Sequence, residues 1–368
     1  MALPPLVAPA EQLPADERER AARQLRLPEL GEPGQRRLFA ARVGVLGAGG
    51  LGSPVLLYLA SAGVGTIGIV DDDVVDASNL QRQVIFSSAD VGQPKAGVAA
   101  DRIRSLSPHT HVIEHREHLT PDNAERIFAD YDLIIDGSDS FDTRYAVADA
   151  CAALGIPLVW GSVLRFDAQA TVFWSRPPSG PAVTLRDVFP AAPAPGDVPS
   201  CAEAGVLGAL CGQLGGILVT EAVKLICGIG DSLIGRMLVL DALGQRVREV
   251  PLAPDAAAHT PAETTSTAER RPAHISLEDL DGLVGATLLD VREPEEFSHG
   301  SIPGAESVPL ARVLGDAASI DLPDTVVVFC QQGPRARSAA RALTAAHPEA
   351  DIRLLDGGYA AWEQRSRI

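Results

Sequence analysis

This chain is poor in sulfur and aromatic surface and has no surplus of positive charge. Among its 368 residues are five cysteines, two methionines and 4% aromatics. The cysteines, at 151, 201, 211, 227 and 330, form no C-x-x-C pair and are odd in number. That pattern excludes a disulfide framework and a tetrathiolate zinc centre, and it suits a reducing, cytoplasmic setting. A net charge of −17 argues against a nucleic-acid partner, because phosphate binding needs a basic surface. Base-stacking aromatics are equally scarce. The N-terminus has no basic region leading into an unbroken apolar run, so no signal peptide is expected. The most apolar stretch, Val206 to Gly230, is interrupted by Gln213, Glu221 and Lys224 and reads as a buried helix rather than a membrane span. Internal repeats and coiled-coil heptads are missing too.

The length suits two domains. From Gly34 the chain alternates strand and helix. Val43–Leu46 and Thr66–Val70 read as strands and Ser53–Ala62 as a helix with Pro54 in its permissive first turn. A second helix opens at Pro94-Lys95, and the short apolar runs Leu133–Ile135 and Pro157–Val159 fit central parallel strands. Gln169–Trp174 adds a strand. This rhythm predicts a doubly wound, mainly parallel α/β sheet with ligands at the carboxyl ends of its strands. Residues 175–200 are rich in Pro, Gly and Ala and read as a functional or mobile segment. Residues 253–272 read as a linker between a first domain, 1–252, and a smaller α/β domain, 273–368.

Chemistry concentrates after the first strand. Gly47, Gly49, Gly50 and Gly52 form a G-x-G-x-x-G turn that offers free backbone N–H groups and a helix dipole to a phosphate. Asp71 ends the second strand, where a carboxylate receives ribose hydroxyls; its bland alternative is a cap. Asp73, Ser78, Asn79, Leu80, Gln81, Arg82, Gln83 and Lys95 follow. Arg82 and Lys95 are suited to neutralising phosphate oxygens, and Asn79 and Gln83 to bonding phosphate or an attacking carboxylate. So polar and cationic a run favours ATP over a nicotinamide dinucleotide. Asp139 follows the buried strand Leu133–Ile135, where an acid can hold Mg²⁺ beside phosphates. Asp136, nearer the strand, is equally suited to structural capping. Four histidines between 109 and 118 tempt a metal assignment but read better as decoration of a solvent-facing strand.

The second centre is Cys330. It follows the apolar strand Val326–Phe329 and opens Cys330-Gln331-Gln332-Gly333-Pro334-Arg335. A C-x-x-G-x-R loop before a helix directs N–H groups at the sulfur, lowering a thiol pKa and stabilising a persulfide anion. Pro334 contributes no N–H to it. Arg335 closes the loop as a cation beside that sulfur.

In their order, Arg20-Ala21-Ala22-Arg23-Gln24, the glycine turn, Asp71, Ser78 to Gln83, Gly92-Gln93-Pro94-Lys95 and Asp136-Gly137-Ser138-Asp139 resemble the MoeB/ThiF family. Asp290-Val291-Arg292-Glu293, Ile302-Pro303-Gly304-Ala305 and Gly357 to Trp362, with the Cys330 loop, resemble a rhodanese domain. The combination is similar to MoeZ-type fusions. The resemblance implies ATP·Mg²⁺-dependent adenylation of a ubiquitin-like sulfur carrier ending in Gly-Gly. Sulfur would then pass from a Cys330 persulfide, charged by a persulfide or thiosulfate donor, to give a thiocarboxylate. Molybdopterin, thiamine or cysteine synthesis and tRNA thiolation are the implied destinations.

It further implies that Arg23 reaches the ATP of a neighbouring subunit, which requires at least a homodimer, and that Cys201 can take part in the sulfur relay. Ser140 stands where the family usually has Asn and is expected to be a weaker nucleotide contact. The paired C-x-x-C motifs that hold zinc in many relatives are missing. Two rivals predict different observables. A nicotinamide-dependent oxidoreductase would bind NAD and catalyse no ATP–pyrophosphate exchange. A non-catalytic scaffold would bind the carrier without forming adenylate.

Overall fold

In the computed structural model, the described residues are 3–192, 204–253, 273–283, 285–323, 325–331 and 333–366. They fall into two compact units, each built on its own sheet. The first sheet comprises β1 (Arg42–Leu46), β2 (Thr66–Val70), β3 (His111–His115), β4 (Leu133–Asp136), β5 (Leu158–Leu164), β6 (Asp167–Phe173), β7 (Arg236–Asp241) and β8 (Arg246–Pro251). Their spatial order is β3-β2-β1-β4-β5-β6-β7-β8. The first five are parallel and the last three antiparallel. The strand order reverses between β1 and β4, which is where a doubly wound sheet opens a crevice.

Alternation along the central strands divides the core. Val43, Val45, Ile67, Ile69, Leu133 and Ile135 pack under the helices Gly52–Ala62, Lys95–Leu106 and Gly208–Cys227. Leu46, Ile134, Leu158 and Trp160 face the opposite way, beneath Pro121–Phe128 and Phe141–Leu154. Strands buried on both faces read as continuous apolar runs, as the sequence predicts for β4 and β5. The helix Gly208–Cys227 is long and apolar enough to cross a membrane by composition. Here it lies in the core, with Leu210, Leu214, Leu218, Ala222 and Ile226 fully covered and Glu221 bonded to the Leu233 N–H at 2.8 Å.

Strands β7 and β8 have no signal in the sequence. Every residue of β8 is exposed, so no alternating pattern marks it. The histidine-rich strand is β3, at the sheet edge, but its histidines are not all solvent decoration. His115 is half-buried and shares a 2.8 Å hydrogen bond with the Tyr131 hydroxyl. Beyond β6 the chain makes an excursion pinned by the Trp174 indole N–H, which donates to the Gly155 carbonyl at 2.8 Å. A capping box between Thr184 and Asp187 then starts a short helix.

The second unit holds β9 (Ala273–Ile275), β10 (Thr287–Asp290), β11 (Glu306–Ser307), β12 (Thr325–Phe329) and β13 (Asp351–Leu355), all parallel, in the order β11-β10-β12-β13-β9. Val326 and Val328 pack against Ala336, Ala339, Ala340 and Leu343 of the helix Pro334–Ala346. Val327 and Phe329 cover the other face with Ile275, Ile302 and Leu355.

Candidate active sites

Strands β1, β2 and β4 end in register at Leu46, Val70 and Asp136, so three exit loops share one edge of the sheet. The first is the glycine turn. Gly47 takes φ +80°, a left-handed conformation that side chains resist, and its N–H donates to the Val70 carbonyl at 2.8 Å. A Cβ on Gly52 would stand 1.8 Å from the Gly47 carbonyl oxygen, so only glycine lets the helix start this close to β1. Between them, Gly49 and Gly50 leave the backbone open. A Cβ on Gly50 would meet the Cys211 sulfur at 3.1 Å and the Arg82 side chain at 3.4 Å, which places Arg82 against the turn.

Asp71 fastens the second exit to the first. Its carboxylate accepts the Ala48 N–H at 2.7 Å and the Asp73 N–H at 2.9 Å. Burial raises its pKa above the ordinary carboxyl value, and the two N–H groups act against that shift. Each oxygen keeps acceptor capacity for a ribose hydroxyl. Lys95 begins the helix Lys95–Leu106 and is buried, with its ammonium 2.9 Å from the Asp73 carboxylate. A cation at a helix N-terminus opposes the dipole, so this lysine is misplaced for stability and well placed for an anion.

The intervening motif folds as a compact turn. Ser78 donates from its N–H and hydroxyl to Asp76 at 2.8 and 2.6 Å, and the Asn79 carbonyl accepts the N–H groups of Arg82 and Gln83, both at 3.0 Å. Leu80 packs against the core, and Gln81 abuts Gly208 at the start of the long helix. The buried Gln83 keeps an Oε1 without a hydrogen-bond partner.

The third exit carries the acids. Asp136 is wholly buried, accepts the Ser138 N–H at 2.8 Å, and has its pKa raised by burial; its Oδ2 lacks a partner. It is the strand-end cap. Asp139 is exposed, and its carboxylate bonds to no described residue, which fits a hard cation that keeps several waters. Ser140, expected as a weaker nucleotide contact, caps the helix Phe141–Leu154, accepting the Thr143 N–H at 3.1 Å. A helix beginning at residue 141 needs an acceptor there, and serine supplies it. Arg144, which no motif in the sequence marks, reaches back from this helix. It donates to the Ser138 carbonyl at 3.1 Å and lies 5.2 Å from the ring centroids of both Phe141 and Trp160.

The second unit places another site at the ends of β10 and β12, where Asp290 pairs with Phe329. Cys330 is 1% exposed, and its sulfur accepts the Gly333 N–H at 3.1 Å. The Tyr359 N–H holds the Cys330 carbonyl at 2.8 Å, so the start of the last helix fixes the cysteine backbone. A Cβ on Gly358 would reach within 2.4 Å of that carbonyl oxygen, which explains the glycine there. Arg335 grips Glu296 at 2.6 and 2.8 Å, and Arg335 in turn draws the Glu296 carboxyl down to about 2. Beneath the loop, buried Arg292 bonds Asp290, the Gly300 carbonyl at 2.7 Å and the Gln331 amide oxygen at 3.1 Å, with Tyr359 stacked 4.0 Å away.

Comparison with known proteins resolves what these two sites belong to. Residues 21–260 match the model of the ThiF family, and residues 276–365 match that of the rhodanese-like domain. The chain belongs to the ThiF family. It is similar to the probable adenylyltransferase/sulfurtransferase MoeZ of Mycobacterium tuberculosis, 45% identical over 99% of this chain and 97% of that protein. It is also 48% identical to a sulfur carrier protein adenylyltransferase of Thermus thermophilus, over 64% of this chain and 87% of that one. A crystal structure of Escherichia coli MccB shares the fold, with TM-score 0.57 at 17% identity, over 66% of this chain and 73% of that one. The chain is therefore an enzyme, an ATP-using adenylyltransferase fused to a sulfurtransferase.

Within this ThiF-family enzyme, the structure gathers Gly47, Gly49, Gly50, Gly52, Asp71, Asp73, Arg82 and Lys95 around the first two exits, and Asp139 follows the third. Arg23 sits apart in the N-terminal segment, exposed and without an ion pair to any described residue. Cys201 lies outside the described residues. Glu296 and Arg292 are further residues of the second site. Only the D-V-R-E-x-x-E spacing ahead of the cysteine loop could have signalled them.

Proposed function

We propose that this enzyme adenylates the C-terminal Gly-Gly carboxylate of a ubiquitin-like sulfur carrier and then converts it to a thiocarboxylate. The observation carrying this reading is the pair of anion cradles, one in each unit: the Asp71-tethered turn with Lys95 and Arg82, and the Cys330 sulfur receiving the Gly333 N–H at 3.1 Å. The names of the Thermus relative and of a SAMP-activating enzyme E1 from Haloferax volcanii, 46% identical over 65% of this chain, support a carrier-protein substrate.

In the first step a carrier carboxylate oxygen attacks the α-phosphorus of ATP, and pyrophosphate leaves. Asp71 holds the ribose, Lys95 and Arg82 neutralise phosphate oxygens, and Asp139 would hold Mg²⁺, which would supply further charge neutralisation. Arg23 completes the site of the partner in a homodimer. Beside it, Gln24 lines a surface depression of about 460 Å³ with Tyr58, Gly216, Val219 and Val223, an apolar patch suited to a second subunit.

In the second step the terminal sulfur of a Cys330 persulfide attacks the acyl carbonyl and AMP leaves. A thiol, for which Cys201 is a candidate, then attacks the Cys330 sulfur and releases the thiocarboxylate; a cellular reductant restores the resulting disulfide. The persulfide itself comes from a protein persulfide or thiosulfate. The two activities occupy residues 1–252 and 273–368, joined by a linker at 253–272, in the cytoplasm.

The test uses a purified Gly-Gly carrier with ATP, Mg²⁺ and thiosulfate. Carrier-dependent ATP–pyrophosphate exchange and a carboxylate-to-thiocarboxylate mass shift are expected. NAD binding with no ATP–pyrophosphate exchange, or carrier binding with neither product, would sink the proposal.

A further inference from the structure

Lys95 and Asp73 form an unequal pair. The lysine side chain is 7% exposed and the aspartate 72%, yet their charged atoms stand 2.9 Å apart. Asp73 is bound to its surroundings through its backbone: its N–H donates to Asp71 at 2.9 Å, and its carbonyl accepts the Lys95 N–H at 2.9 Å. Its side chain is therefore free to turn to solvent without disturbing the loop. The lysine has no such freedom. A buried ammonium at a helix N-terminus, opposed by the dipole, needs an anion beside it at all times.

Asp71 and Asp76 also feel the Lys95 charge, but both are engaged elsewhere. Asp71 accepts the Ala48 and Asp73 N–H groups, and Asp76 accepts from Ser78. Asp73 alone among the described residues forms an ion pair with Lys95.

We infer that Asp73 is an internal counter-ion which Lys95 exchanges for the phosphates of ATP. This sets the enzyme's affinity for ATP and pyrophosphate without Asp73 contacting either. It rests on the assignment of Lys95 to the phosphates. Entry of ATP transfers the ammonium from carboxylate to phosphate, and Asp73 swings into water. When pyrophosphate departs, Asp73 returns, so the lysine is not left buried and uncompensated. The device weakens the binding of substrate and of product together. It thereby keeps pyrophosphate from lingering and reversing the adenylation.

Asp73→Asn keeps the side-chain shape and both backbone bonds while removing the competing charge. Binding of a non-hydrolysable ATP analogue with Mg²⁺, and of pyrophosphate, would be measured by calorimetry in wild type, Asp73→Asn, Lys95→Ala and the double variant. Both ligands are expected to bind about fivefold tighter to Asp73→Asn, the scale of one ion pair of about 1 kcal/mol. Pyrophosphate should become a correspondingly stronger inhibitor. In the Lys95→Ala background the gain should vanish, because no ammonium remains to be exchanged. Unchanged or weaker binding in Asp73→Asn, or a gain that persists without Lys95, overturns the inference. If Lys95→Ala alone leaves both affinities unchanged, the failure lies in the phosphate assignment instead.

Discussion

Glu296 accepts from both terminal nitrogens of the Arg335 guanidinium, at 2.6 and 2.8 Å, while also accepting the Glu293 N–H at 3.0 Å as the closing residue of a capping box. One carboxylate thus joins the helix Pro294–Ser298 to the first turn after the cysteine loop. The pairing is read in the pH dependence of stability. The Glu296 carboxyl is held down to about 2, chiefly by Arg335, so its folded pKa lies below its unfolded one. The stabilisation is present above the unfolded value, about 4.3, and is lost as pH falls towards the folded value. Glu296→Gln preserves the capping geometry and removes the charge. The melting-temperature gap between wild type and this variant should be open at pH 6 and should narrow steadily between about pH 4.5 and 2. A gap that widens on acidification would show that the pairing does not stabilise the loop.

Trp174 offers a test of how the excursion after β6 is held. Its indole N–H bonds the Gly155 carbonyl at 2.8 Å, and its ring is buried. Trp174→Phe keeps an aromatic ring but leaves that carbonyl without its donor. A loss of about 1–3 kcal/mol is expected, a fall in Tm of several degrees for a unit of this size. An unchanged melting curve would mean that the hydrogen bond does not pin the excursion.

The parts legible in the sequence are those where one local rule decides the outcome. Buried parallel strands such as Leu133–Asp136 have continuous apolar runs, and Gly47 and Gly52 of the turn are required for backbone reasons alone. Strands β7 and β8 obey no such rule: β8 lies at an exposed antiparallel edge, and pairing with β7, not its composition, makes it a strand. Within the sites, first contacts follow motifs, whereas supporting contacts depend on residues brought together by the fold. Arg144 lies 5.2 Å from the ring centroid of Trp160, sixteen positions along the chain, and Arg335 meets Glu296 across thirty-nine. Ser140 carries a role that its motif position does not announce: a helix starting at the next residue takes its hydroxyl as a cap.

Asp139→Ala and Lys95→Ala should each abolish carrier-dependent ATP–pyrophosphate exchange. Asp139 presents a carboxylate with no bond to any described residue, and Lys95 is the buried cation of the cleft. Losing one charge contact at a transition state typically costs about a hundredfold or more in rate, roughly 3 kcal/mol. Raising Mg²⁺ should not rescue Asp139→Ala. Near-normal exchange in both variants would remove this cleft as the adenylation site.

Arg23 is exposed and has no ion pair to any described residue, and the proposed homodimer places it at the partner's ATP. Arg23→Ala alone should be inactive in exchange. Mixed with Lys95→Ala chains under conditions of subunit exchange, it should regain partial activity. In the mixed dimer one site then receives an intact Lys95 from its own chain and an intact Arg23 from the other. If tagged chains demonstrably exchange and no activity returns, Arg23 does not act in trans.

Cys330→Ser separates the two chemistries. The nucleotide cleft is built wholly from the first unit, so adenylate formation and pyrophosphate exchange should persist at wild-type rates. The Gly333 N–H at the sulfur, the Tyr359 N–H on the cysteine carbonyl and the start of the helix Pro334–Ala346 should all remain, so the cradle survives with a different atom in it. What disappears is a soft, ionisable nucleophile. A serine hydroxyl is not appreciably deprotonated at neutral pH and cannot carry a transferable sulfur. Persulfide formation from thiosulfate should vanish, and carrier thiocarboxylate should fall to background with thiosulfate as the sole sulfur source. Free sulfide at high concentration should partly restore it, because sulfide attacks the acyl-adenylate directly and needs no cysteine. Mass spectrometry of the carrier reads all of these outcomes in one experiment. A full conversion of carboxylate to thiocarboxylate by the serine variant, with thiosulfate alone, would move the sulfur-bearing role from Cys330 to another cysteine, Cys201 first.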